Sequence, residues 1–269
     1  MREKFMQTES EDKFINSSAK TLDSFKLLTV VIPVYNEKST IAEVIEKVLT
    51  VELPLEKEII VIDDGSTDGT TEILQAQNKD KIIFYFTPVN IGKGAAVRIG
   101  LKLAKGDIIL IQDADLELNP HEYKMLLAPI LQNQTQVVYG SRFLKDNHVP
   151  VVRRAANYIL TLLTNLLYNT NLTDMETAYK VFTPAVVKKL SLRANRFEIE
   201  PEITAQICLS EYKILEVPIS YRPRTKFEGK KINWKDGVKA LWMLFKCRFE
   251  KRKKIEEKFF LRDSKDFLD

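Results

Sequence analysis

An α/β fold with a mostly parallel central sheet flanked by helices is predicted by three features of this 269-residue chain. Short β-branched runs alternate with stretches of helical period, the order that right-handed βαβ crossovers produce. The runs are apolar throughout, as strands buried on both faces must be. Acidic or glycine-containing residues follow several of the runs, where an open sheet of this kind holds its ligands. A composition of 45% hydrophobic and 29% charged residues supplies a sizeable core, and one domain is expected.

Residues 1–26 are polar, mixed in charge and without period, and read as a flexible extension ahead of a domain spanning 27–232. The run 27–34 (LLTVVIPV) reads as a buried strand. Ile41, Val44, Ile45, Val48 and Leu49 then fall on one helix face, and Thr40 with Glu43 has the spacing of a capping box. The unit repeats as strand 58–62, helix 67–77, strand 82–86, helix 93–104 and strand 108–111. Beyond Pro120 come a helix to about 132, a strand at 136–139, a polar loop over 141–150 and an apolar helix over 151–168. A strand near 178–182, a helix over 201–209 and a strand over 213–221 follow. Residues 233–269 read as a basic amphipathic helix and tail, with Trp234, Val238, Leu241, Trp242, Phe245 and Phe249 on one face and Lys235, Lys239, Lys246, Arg248 and Arg252 supplying a cationic side. Packing on the sheet would use the same apolar face, and Val238 and Leu241 are the two expected to do so. The stretch 158–168 offers a second surface for a membrane.

Charge narrows the partner classes. The net +4 conceals a segment, 222–254, with 13 Lys and Arg against 3 Asp and Glu, on a body that is net acidic. A cationic end suits a membrane surface, a phosphorylated ligand or nucleic acid. Nucleic acid ranks last, because no recognised module is present and the aromatic residues of the final helix lie opposite its cations. Cys208 and Cys247 form neither a disulfide framework nor a metal-binding pattern, which points to a reducing compartment. The amino terminus has no apolar signal region, and the greasiest stretch is well short of the roughly 18 apolar residues of a spanning helix. A cytoplasmic location is therefore expected, and the sequons at Asn16, Asn133 and Asn171 are read as chance.

Three loops carry the chemistry. After the fourth strand, Asp113 and Asp115 can share a hard divalent cation with a ligand's phosphates, or else complement a helix terminus. After the second, turn chemistry accounts for Gly65, Ser66 and Gly69 but poorly for Asp63 and Asp64, whose carboxylates suit ribose hydroxyls or a base N–H. Asn90-Ile91-Gly92-Lys93-Gly94 is neither a dinucleotide fingerprint nor a Walker A loop, yet it brings backbone N–H groups and Lys93 toward a phosphate. Ala96 and Gly100 beyond it suit close helix-to-strand packing.

The segments VVIPVYNEKSTI, VIDDGSTDGT, NIGKGAAVRIG, GDIILIQDADLELNP and GSRF, in this order, resemble family 2 glycosyltransferases of the GT-A fold. More narrowly they resemble the dolichyl-phosphate mannose/glucose synthase group. The resemblance covers about 28–182 and continues less specifically to about 242. It implies a Rossmann-like nucleotide-binding sheet and a metal-dependent, inverting transfer of a hexose from a UDP- or GDP-sugar to a polyprenyl phosphate. Pro33, Tyr35, Glu37 and Asp64 would line the nucleotide pocket together with Lys93. Asp113 and Asp115 would be the D-x-D pair that holds the donor diphosphate through Mg²⁺ or Mn²⁺. Arg142, Arg153 and Arg154 match places where relatives bind an acceptor phosphate.

A phosphate monoester is largely ionised at neutral pH and needs no general base. A sugar hydroxyl needs one, and Asp174 and Glu176 are then the nearest candidates. Asp115, Arg142 and Asp174 are thus the expected catalytic residues. The chain departs from the common pattern at Ala178, where a glycine is usual. In RFEIEPE, the acids position Arg196 or close the acceptor pocket, or else satisfy a helix terminus, the last being favoured for Glu202. Tyr221, Arg222, Arg224, Lys230 and Lys231, with a hinge at Gly229, are expected to fold over phosphates or else to form a solvated charge run. With no spanning helix, a lipid acceptor would be reached peripherally on the cytoplasmic membrane face or with a membrane partner protein. The rival readings are transfer to a hydroxyl of a cell-envelope glycan and a non-catalytic nucleotide-sugar-binding subunit.

Overall fold

The computed structural model describes residues 25–77, 82–224 and 234–263. Nearly all of the expected amino-terminal extension, and Gly229, Lys230 and Lys231 of the basic loop, lie outside the described residues.

Seven strands form one sheet in the order β3-β2-β1-β4-β6-β5-β7. They are β1 Leu27–Val34, β2 Glu56–Asp63, β3 Ile82–Phe86, β4 Ile108–Ile111, β5 Val137–Ser141, β6 Lys180–Phe182 and β7 Ile214–Pro218. Only β6 among them runs antiparallel to its neighbours, β4 and β5. The helices are α1 Ile41–Thr50, α2 Thr70–Gln75, α3 Lys93–Leu103, α4 Tyr123–Leu131, α5 Val151–Tyr168, α6 Pro184–Val187, α7 Ile199–Leu209 and α8 Trp234–Asp263.

Both sheet faces are buried, which is why β1 is apolar along almost its whole length. Leu28, Val30 and Ile32 point to the layer of α1 and α4, where Ile41, Val44, Ile45, Leu127 and Ile130 meet them. Val31, Ile60 and Ile62 point to the opposite layer, against Val97, Leu101, Ile203 and Ile207. A Cβ on Gly100 would stand 2.2 Å from the Val31 side chain, so α3 can lie this close to the sheet only with glycine there.

Local chemistry modifies three expectations. The helix expected at 67–77 is shorter, because Gly69 is left-handed at φ 100° and the Asp68 carboxylate accepts from the Thr70 N–H at 3.0 Å. Thr40 makes no capping-box bond: its hydroxyl donates to the Ala114 carbonyl at 2.8 Å and so ties α1 to the loop after β4. Among the described side chains of α8 the buried ones are Ala240, Met243 and Leu244, on the side that packs against α5 and α7, while Val238 is exposed. Among the described residues no helix is long and apolar enough to cross a membrane.

Candidate active site

The chain leaves β1 toward β2 and β3 and then returns to β4 on the other side of β1, so the crossovers diverge at the carboxyl ends of β1 and β4. A cleft of about 680 Å³ opens there. Pro33, Tyr35 and Glu37 reach it from β1, Asp64 from β2, Lys93 from α3, Asp113 and Asp115 from β4, Arg142 from β5 and Arg153 from α5. Arg154 and Asp174 do not line it. Successive residues on a helix point about 100° apart, so α5 can aim only one of its two arginines into the cleft. Arg154 is exposed, with its guanidinium 5.8 Å from the Phe143 ring centre.

The two acids after β2 have different tasks. Asp63 is structural: its carboxylate accepts from the Ser66 N–H and hydroxyl and from the Thr71 hydroxyl, so turn chemistry explains it after all. Asp64 accepts from the Ile91 N–H at 2.9 Å, the Gly92 N–H at 2.6 Å and the Asn90 amide at 2.9 Å. It thereby pins the 90–94 loop against the cleft. That loop also needs its glycines, since a Cβ on Gly92, at φ 120°, would meet the Asn195 carbonyl at 2.3 Å.

A buried chain of charges runs through the cleft floor. Lys93 Nζ lies 2.8 Å from Asp113 and 3.0 Å from Glu200, and the other Glu200 oxygen is 2.6 Å from Lys180 Nζ. Lys180 Nζ also donates to the Thr177 carbonyl. Burial disfavours the Glu200 anion, but the two ammonium groups outweigh it and hold its pKa below the usual range. Burial likewise opposes the Lys93 charge, and Asp113 and Glu200 outweigh it, leaving a firmly protonated lysine.

Beyond β6, Arg142 is held by a bidentate pair: Nε to Asp174 Oδ2 and Nη2 to Oδ1, both at 2.7 Å. The Arg142 backbone N–H donates to the same carboxylate at 3.0 Å. Asp174 is fully buried, and its geometry is that of a residue orienting Arg142 rather than of an open proton acceptor. Tyr221 packs under the Arg142 guanidinium at 5.2 Å, and its hydroxyl donates to Glu117 and accepts from Arg153, each at 3.1 Å. Arg224 closes the other side, donating to Glu37 at 2.6 Å and to the Asp115 carbonyl at 2.8 Å.

Glu117 and Lys180 escaped the sequence reading, and Glu200 entered it as an acid that positions Arg196, closes the acceptor pocket or satisfies a helix terminus. A lysine opening an apolar strand was the available signal for Lys180, because a buried lysine requires a carboxylate partner. Glu202, in contrast, accepts from the Arg193 and Ala194 N–H groups and is structural. Ala178 lines the cleft without a left-handed backbone, so the position tolerates alanine.

Among the described residues no three His, Cys, Asp or Glu side chains converge as a self-sufficient metal site. Asp113 and Asp115 nevertheless fit the share of a Mg²⁺ shell that protein supplies when phosphates complete it. The electrostatics agree. Burial, then the Asp113 and Glu117 carboxylates, push Asp115 up to about 7, and the second of these causes is the repulsion a cation would relieve. Between about pH 4 and 7 the folded, metal-free chain therefore keeps a proton on Asp115 that the unfolded chain has released, so this group makes stability fall as pH rises. Asp115→Asn is expected to flatten that part of a Tm-against-pH profile measured in chelator. An unchanged profile would refute the shift.

Residues 29–192, more than half of the chain, match the model for glycosyl transferase family 2. The chain belongs to that family. This transferase is 30% identical over 216 residues to a UDP-N-acetylglucosamine–dolichyl-phosphate N-acetylglucosaminyltransferase of Methanococcus voltae, covering 72% of this chain and 85% of that one. It is 38% identical over 112 residues to the undecaprenyl-phosphate 4-deoxy-4-formamido-L-arabinose transferase of Aeromonas hydrophila subsp. hydrophila, covering 40% of this chain and 34% of that one. Neither relative is a dolichyl-phosphate mannose or glucose synthase, so the family is shown and the narrower group is not. The crystal structure of glucosyl-3-phosphoglycerate synthase from Mycobacterium tuberculosis, in complex with Mn²⁺, uridine diphosphate and phosphoglyceric acid, aligns with a TM-score of 0.67. That alignment has 21% identity and covers 87% of this chain and 82% of that one. The likeness shows that the glycosyltransferase has the GT-A fold.

Proposed function

We propose that this enzyme transfers a hexose, with inversion, from a UDP- or GDP-linked sugar to a polyprenyl phosphate at a membrane surface. The observation that carries the acceptor is Arg142, oriented bidentately by buried Asp174 in the same cleft as the Asp113–Asp115 pair. Arg142 follows β5 and the acidic pair follows β4, with β6 between them, so the two lie about two strand spacings apart, roughly 10 Å. That is room for a sugar between two phosphate-binding ends.

On this reading Pro33, Tyr35, Glu37 and Asp64 enclose the nucleotide, and Lys93 and Arg224 stand beside its diphosphate. Arg142 and Arg153 bind the acceptor phosphate. Mg²⁺ or Mn²⁺ on Asp113 and Asp115 would supply neutralisation of the charge developing on the departing diphosphate. The acceptor's phosphate oxygen forms the new bond at the anomeric carbon as the bond to the diphosphate breaks. No proton need move, because the monoester is mostly dianionic above its second pKa of about 6. The local carboxylates suit such an acceptor: Asp174 is engaged by Arg142, and Glu200 lies between two lysines. The names of the two relatives, both polyprenyl-phosphate transferases, support the same class.

The membrane part of the proposal rests on an inverted helix. On α5 the buried residues are Asn157, Thr161 and Thr164, whereas Val151, Tyr158, Ile159, Leu162 and Leu166 face outward. The outward face of the neighbouring α8 carries Val238, Trp242, Phe245 and Phe249, and its cations flank these rings rather than lying opposite them as expected: Lys246 is 4.9 Å from the Trp242 ring and Lys239 is exposed. Apolar faces bracketed by cations suit an anionic bilayer surface. Val152, 82% exposed, also lines the cleft, so the apolar face is continuous with the site. The double variant Leu162→Glu/Leu166→Glu is expected to cut co-sedimentation with phosphatidylglycerol vesicles at least about tenfold. Equal sedimentation, or a dimer that the variant dissociates, would overturn the membrane assignment.

The acceptor itself is tested by incubating the full chain with UDP- and GDP-hexoses, Mn²⁺ and a short, water-soluble prenyl phosphate. Formation of a sugar-phosphoprenol is expected. Donor turnover that yields only glycosylated hydroxyls would overturn it. One observation favours that second reading: burial, then Glu200, push Glu176 up to about 7, a suitable value for a base at neutral pH.

A further inference from the structure

We infer that Asn157 and Glu176 form the subsite for the ring hydroxyls of the transferred hexose, and so select among donor sugars. The inference rests on the donor and acceptor ends proposed above, and it begins from unmet hydrogen bonding. Both polar atoms of the Asn157 amide, and Glu176 Oε1, are excluded from solvent and have no partner among the described residues. Asn157 is only 7% exposed. Both residues line the cleft. Buried polar groups are nearly always paired, and leaving one unpaired is costly, so orphaned atoms on two residues of one cavity's wall call for a ligand that supplies the missing partners once it enters.

The topology puts them between the two phosphate-binding ends. Because β6 runs antiparallel between β4 and β5, the segment entering it, residues 174–179, lies at the carboxyl ends of those two strands. Glu176 therefore stands between Asp113 and Arg142. The Met175 N–H donates to the Thr161 hydroxyl at 3.2 Å, which docks this segment on α5 one turn beyond Asn157. The amide and the carboxyl thus sit on adjoining walls of the cleft. An amide that both donates and accepts, beside a carboxyl, matches the alternating donor and acceptor character of a hexose ring's hydroxyls. A bare phosphate, which only accepts, would leave the carboxylate and the amide oxygen unmatched.

Donor binding in the absence of any acceptor tests this separately from the acceptor assignment. Isothermal titration with Mn²⁺ compares each variant's affinity for the preferred nucleotide hexose and for the matching free nucleoside diphosphate. Asn157→Leu and Glu176→Gln are expected to weaken the sugar nucleotide about tenfold each and to leave the diphosphate within about twofold. Asn157→Asp, or Glu176→Asp, should also change the ranking of a panel of epimeric donors. Equal loss for sugar nucleotide and diphosphate, or unchanged affinity for both, would overturn the subsite. A Glu176→Gln variant that binds donor normally but loses turnover would make Glu176 a base for a hydroxyl acceptor and overturn its assignment here. Thermal melts of each variant check that the fold is retained.

Discussion

Asp115→Ala is expected to lower turnover at least about 1,000-fold, equivalent to about 4 kcal/mol of barrier, without unfolding the chain. The proposed role of Asp115 is to hold, with Asp113, the cation that offsets charge on the leaving diphosphate. Asp113 already shares one oxygen with Lys93 at 2.8 Å, so it alone is a poor anchor for a second positive charge. The effect on stability should have the opposite sign. Removing Asp115 relieves repulsion from Asp113 and Glu117 at the pH where all three would be ionised. The metal-free variant should therefore melt at or above the wild-type temperature near pH 7.5, and it should lack the Tm increase expected of the wild type with Mn²⁺ and a nucleoside diphosphate. Full turnover in chelator, by wild type or variant, would sink the metal assignment.

The Arg142–Asp174 pair should show the second-largest effect, on the acceptor side. Arg142→Ala leaves a fully buried carboxylate without its cation, and breaking such a pair costs about 3–5 kcal/mol. Asp174→Ala strands the guanidinium in the same way. Removing both should be less destabilising than the sum of the single changes. Arg142→Lys separates function from folding: it keeps a charge opposite Asp174 but loses the planar fork. It should retain the melting temperature within a few degrees and lose about 10- to 100-fold in kcat/KM for the phosphate acceptor, with KM for the nucleotide sugar unchanged. A loss confined to the donor KM would place Arg142 on the wrong substrate. Additive single-mutant effects on stability would refute the buried pair.

Several of these residues were legible only up to a choice that the sequence left open. The tandem carboxylates Asp63 and Asp64 look equivalent in a row of letters. In the fold one closes its own turn and the other pins a loop 27 residues away. Arg153 and Arg154 are equally good phosphate ligands by type, and the turn angle of α5 admits one. Asp174 and Glu176 were the two candidate bases for a hydroxyl acceptor, and the pairing with Arg142 distinguishes them. The stretch 158–168 was legible as an apolar surface, but which face of α5 turns inward was not, because its period is that of any amphipathic helix.

The strands, the helices and the position of the acidic loops at strand ends were determined by the sequence itself, through local rules: β-branched runs, helical period and turn-forming glycines act over a few residues. The family motifs lie in those same short segments. What tertiary structure decided is the charge state and freedom of each site group. Arg224 reaches Glu37 across 187 positions, Arg142 meets Asp174 across 32, and Lys93 on α3 meets Glu200 on α7, a helix brought alongside it only by packing on the same sheet face. Whether a carboxylate is a ligand, an orienting partner or an open acid depends on which cation packing brings within about 3 Å and how much water it removes, and neither is a property of the residue's neighbours along the chain.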